Sequence, residues 1–68
     1  MQANIHQNCV NLFYASEKVL NFLHESGYKQ AKVSDSQLYI IGVDNIDPDQ
    51  LLALLDLYGY KYTLQDFR

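Results

Sequence analysis

Sixty-eight residues, 49% of them hydrophobic and 19% charged, make one ordered domain (1–68) with no room for a second core. The net charge of −3 offers no broad attraction to nucleic acid or anionic membrane, and no apolar run reaches the roughly 18–20 residues of a membrane span. Cys9 stands alone, so no intramolecular disulfide can reinforce a core that supplies only a few kcal/mol at this size, and association with a partner is expected instead.

Met1-Gln2-Ala3-Asn4 lacks the basic region and apolar stretch of a secretory signal, which sets a cytoplasmic expectation, with residues 1–5 frayed. From about Gln7 to Ser26 the pattern predicts an amphipathic helix. At about 100° per residue, Ile5, Cys9, Leu12, Phe13, Ser16, Val19, Leu20 and Leu23 share one arc. Gly27 ends it, and Tyr28 returns onto Leu23 as a Schellman motif requires. Val10 and Tyr14 fall on the polar side and Phe22 at the margin. They read either as scattered surface residues or as a second contact face centred on Tyr14 and Phe22.

A hairpin is predicted over Tyr28–Val43, turning at Ser34-Asp35-Ser36-Gln37. With Asp35-Ser36 as the loop, Val33 faces Leu38 and Ala31 faces Ile40, so four apolar residues share the inner face. The outer face then holds Tyr28, Gln30 and Lys32 beside Tyr39, Ile41 and Val43. Three large apolar residues on one strand should not face water, so either another part of the chain covers them or they make a contact surface.

Asp47 is the expected N-cap of a second helix, with Pro48 at its first position and Gln50 placed for a variant capping box. Ile46 and Leu51 have the spacing of a hydrophobic staple, and Asp49 suits the positive end of the helix dipole. Leu51, Leu54, Leu55 and Tyr58 share one arc, flanked on opposite sides by Leu52 and Leu57. Gly59 closes the helix, and Tyr60–Gln65 alternates as a strand with Tyr60, Tyr62 and Leu64 inward. Gly27-Tyr28-Lys29 is echoed by Gly59-Tyr60-Lys61, which reads as two helix-to-strand exits sharing one glycine cap rather than as a repeat.

The predicted fold is thus α+β, a two-layer αββαβ domain whose three-stranded sheet carries both helices on one face. The last strand runs parallel to the second, beside either of the other two. His6 and Cys9 could neighbour one another on a helix, but no further ligand has metal-site spacing, and His24 lies roughly 27 Å further along it. Asp44, Asp47 and Asp49 lack the alternation, glycine and glutamate of a calcium loop and are explained by capping. No phosphate loop, nucleophile elbow or paired carboxylates are present, so neither cofactor, metal nor small-molecule substrate is expected.

The reading that follows is a non-catalytic protein-binding module, a homodimeric regulator or inhibitor with room for a larger protein target. Its contact residues are Tyr39, Ile41 and Val43, then Tyr14, Phe22 and Leu57, and Ile41→Asp is expected to separate the dimer. The alternative is a single-stranded nucleic-acid binder using Tyr28, Lys32, Tyr39 and Lys61, disfavoured by the acidic balance. An enzyme with its active site at a dimer seam ranks third.

Overall fold

The first thirteen residues alternate rather than wind. Ala3, Ile5, Val10 and Leu12 are fully buried, while Gln2, Asn4, Asn11 and Phe13 between and beside them are only partly covered. Period two puts the first set on one face of a sheet. The computed structural model describes residues 1–68 and gives the order β1 (Gln2–Ile5), β2 (Val10–Phe13), α1 (Glu17–Glu25), β3 (Lys32–Asp35), β4 (Ile40–Val43), α2 (Pro48–Leu57) and β5 (Thr63–Asp66).

This corrects the three-stranded αββαβ expectation: the sheet has five strands, ordered β3-β4-β2-β1-β5. The front of the expected first helix is instead the turn and second strand of a hairpin, β1 antiparallel to β2, closed by His6 N–H donating to the Cys9 carbonyl at 3.0 Å. Residues 1–5 are not a frayed end. They form a strand held on both sides, antiparallel to β2 and parallel to β5. Ile5, Leu12 and Phe13 fit a helical arc and also lie along strands, which is why both patterns are satisfied. Asn4, Asn8 and Asn11 were the contrary signal, since asparagine competes with the helix backbone for hydrogen bonds.

The shortened α1 starts at Ser16, an extended N-cap whose hydroxyl accepts from Val19 N–H at 3.3 Å. In α2 the Asp47 carboxylate accepts from Asp49 N–H at 3.0 Å, with Pro48 at the first position. Both helices leave through the same Schellman geometry. Tyr28 N–H reaches the Leu23 carbonyl at 2.9 Å and Tyr60 N–H the Leu55 carbonyl at 3.0 Å, with Gly27 at φ 102° and Gly59 at φ 80°. A Cβ at either glycine would meet nothing within 4 Å, so the demand is purely conformational. Gly59→Ala should therefore cost about 1 kcal/mol, read as a lower urea midpoint at unchanged slope.

The buried strand residues Ala3, Ile5, Val10, Leu12, Ile41 and Val43 form one cluster with Val19 and Leu23 of α1 and Leu51, Leu52 and Leu55 of α2. Both helices thus cover the same face of the sheet. β2–α1–β3 and β4–α2–β5 are each parallel crossovers that skip intervening strands, since each strand's direction follows from its antiparallel or parallel neighbours. With β1 set aside, the connectivity and strand order are those of two split βαβ units, the ferredoxin-like arrangement. The sequence echo falls at the same place in both units, at the glycine cap between helix and final strand. β5 does run parallel to β4, but it stands at the far edge beside β1, next to neither strand expected for it.

The β3–β4 register also differs from expectation. Val33 pairs with Ile41 and Lys32 with Gly42, and a bulge separates Val33 from Asp35. The turn spans Ser36–Tyr39, because the Asp35 carboxylate accepts from Gln37 N–H at 2.9 Å and Leu38 N–H at 3.0 Å, and Tyr39 takes φ 50°. The longer loop displaces the pairing and sends Ile41 and Val43 to the inner face.

Candidate functional site

Two of the expected contact residues are spent inside the molecule. Ile41 and Val43 are fully buried against the helices, so neither offers surface to a partner. Tyr39 is half-buried in the turn. Its neighbour across the end of the sheet is Tyr14, 61% exposed and also left-handed at φ 57°. Tyr14 N–H donates to the Leu38 carbonyl at 3.1 Å and Ala15 N–H to the Tyr39 carbonyl at 3.0 Å. The two tyrosines therefore share one strained junction, where a non-glycine residue in that region costs roughly 1–2 kcal/mol.

The sheet face away from the helices is polar. Lys32, Gly42, Asn11, Asn4 and Gln65 form one row across all five strands. Gln2 Nε2 donates to Asn4 Oδ1 at 2.9 Å, and Phe13 and Ile40 lie half-buried toward one end. The aliphatic outer face expected from Ile41 and Val43 is replaced by this polar row.

Apolar exposure concentrates on the helix layer. Pro48, Leu51, Leu52 and Leu55 are the buried residues of α2, and at about 100° per residue Leu57 lies roughly opposite the centre of their arc. Leu57 is 77% exposed. With Gln50, Ala53 and Leu54 it forms one wall of a groove of about 310 Å³, whose other wall is Ser26 and Tyr28 at the end of α1. Burial first, and then the Asp47 carboxylate, pushes the Tyr28 phenol above its ordinary range.

Alongside, the Phe22 ring meets Tyr58 edge-on at 5.1 Å and Tyr60 at 5.0 Å. Tyr58 is 63% exposed, although its place on the leucine arc predicted an inward side chain. Of the second set of contact residues, Leu57 thus lies on α2 and Phe22 on α1, packed against the α2 exit, while Tyr14 stands with Tyr39 elsewhere. The wheel treated Tyr58 as one more helical position, whereas it is the C-cap, where the chain already turns toward Gly59.

The four residues of the nucleic-acid alternative do not converge. Tyr28 lines the helix groove, Tyr39 sits in the β3–β4 turn, and Lys32 lies on one edge strand while Lys61 precedes the other. Four strand spacings, about 19 Å, separate those edges. His6 stacks on Phe67 at 5.3 Å, and its hairpin partner Cys9 is a half-buried free thiol. No group of three or more His, Cys, Asp or Glu side chains is placed to hold a metal ion. No helix is long and apolar enough to cross a membrane. Compared with protein-family models, curated proteins and solved structures, the chain matches none.

Proposed function

We propose that this protein is a small non-catalytic protein-binding module, a homodimeric regulator or inhibitor that acts by protein–protein contact, and that it engages its target through the α2 groove. The observation that carries this reading is Leu57, an apolar side chain 77% exposed at the rim of a groove walled by Ala53, Leu54 and Tyr28. Apolar groups held open beside a concave wall favour an apolar anchor from a partner, with Gln50, Ser26 and the Tyr28 hydroxyl orienting it. The free thiol of Cys9 suits a reducing compartment, and we place the protein in the cytoplasm.

Leu57→Asp tests the reading. A side chain this exposed contributes little to the fold, so stability should change by no more than about 0.5 kcal/mol. Wild-type and Leu57→Asp proteins used as paired baits in native-host lysate should differ by one or a few retained proteins. Identical retained sets would end the assignment of this groove.

A further inference from the structure

The two edges of the sheet are built differently. β3 is guarded: a bulge interrupts it between Val33 and Asp35, and it carries Lys32 and Asp35 at its ends. These are the devices by which edge strands avoid pairing with another chain. β5 carries one charge, Asp66, which is paired within the chain to Arg68 at 3.1 Å. Thr63-Leu64-Gln65-Asp66 has no bulge, proline or lysine, and every residue in it is exposed.

Its backbone is half-used. Thr63 N–H donates to the Met1 carbonyl at 3.0 Å and Phe67 N–H to the Ile5 carbonyl at 2.9 Å. With the two-residue period of a strand, the amides of Leu64 and Asp66 therefore point away from β1. Leu64 lies in register with buried Ala3, on the helix side of the sheet, yet is 49% exposed because the layer ends there.

We propose that this edge is the homodimer seam, with β5 of one copy pairing antiparallel to β5 of a second copy about a two-fold axis at Leu64. The proposal rests on the protein-binding reading above and names where its homodimer forms. In this register the two Leu64 side chains meet at the axis and cover each other, and Leu64 N–H and C=O exchange bonds with their counterparts. Charge disfavours an axis at Asp66, which would set two carboxylates against each other. With the axis at Leu64, Asp66 falls opposite Tyr62 of the second copy, and the two Asp66 carboxylates, each paired to its own Arg68 at 3.1 Å, stand four residues apart, about 14 Å. No carboxylate of the seam faces another, which matters for copies that each carry −3. The guarded β3 edge prevents head-to-tail growth, so the assembly closes as a dimer of continuous ten-stranded sheet.

Sedimentation equilibrium on the full chain tests this with two variants. Leu64→Pro removes an N–H that β1 does not use, a change edge strands tolerate. Leu64→Lys sets two ammonium groups against each other at the axis and guards against a folding defect in the proline variant. A wild-type dimer whose dissociation constant rises at least tenfold in Leu64→Lys, with circular dichroism unchanged, is the expected result. A monomeric wild type across the micromolar range, or an unchanged dissociation constant in folded Leu64→Lys, overturns the seam. Either result leaves the groove reading intact, because that is decided separately by the Leu57-dependent captures.

Discussion

A chain lacking residues 1–5 should not fold. β1 is the only strand that β5 pairs with and one of two that β2 pairs with, so its removal leaves β5 without a ladder and exposes a flank of β2. Ala3 and Ile5 also leave the core, where both are fully buried. Losing a buried isoleucine side chain alone costs about 2–5 kcal/mol. A domain of this size has roughly 3–10 kcal/mol in total, so adding the β1 hydrogen bonds to that loss exceeds what the chain can spare. The expected readout is loss of the cooperative urea transition and of amide dispersion in a heteronuclear NMR spectrum. A truncated protein that unfolds cooperatively within about 1 kcal/mol of the full chain would show that β1 is dispensable.

Ile41→Asp should unfold the protein rather than alter its oligomeric state. Ile41 is fully buried on β4, in register with Leu12 of β2 and Val33 of β3 and within the same core cluster as Leu23 and Leu55. An aspartate there gives up the packing of the isoleucine and buries a carboxylate that has no partner, at a cost of several kcal/mol more. Ile41→Val should remain folded and lose only about 0.5–1.5 kcal/mol, which separates a packing cost from a charge cost. Had the first-ranked surface been correct, Ile41→Asp would have been a soluble monomer with its thermal transition intact. Thermal unfolding followed by circular dichroism distinguishes the two outcomes directly.

The reversal at Ile41 shows where reading the chain stops. The assumed Asp35-Ser36 loop paired Val33 with Leu38 and made a self-consistent apolar face. The turn instead runs to Tyr39, because the Asp35 carboxylate captures two successive amides and Tyr39 accepts a left-handed backbone. The resulting shift, together with the bulge, exchanges the faces of β4. Both patterns are apolar enough to satisfy one face. What separates them is the second partner of β4, since Ile41 and Val43 lie opposite Leu12 and Val10 of a strand whose residues also fit a helical arc.

The candidate site was legible only in part. Leu52 and Leu57 both read as leucines flanking the arc of α2, yet Leu52 is buried and Leu57 exposed, a difference that their places on the wheel do not decide. The groove beside Leu57 was not legible, because Tyr28 and Ser26 reach it from the end of another helix. The open edge of β5 was hidden for a similar reason. The residues Thr63–Asp66 look like any alternating strand, and only the strand order shows that one side of them is vacant.

By itself the sequence determined the bounds of α2, the glycine exits of both helices, the layering of helices on one sheet face and the direction of β5 relative to β4. Caps and exits are closed by hydrogen bonds among residues a few positions apart, as between Asp47 and Asp49 or Leu55 and Tyr60, so adjacent residues suffice to specify them. The tertiary structure alone decided that residues 2–5 are a strand, which face Ile41 and Val43 present, and which edge is left open. A strand has no internal hydrogen bonds, so its existence, register and buried face are set by neighbours from distant parts of the chain.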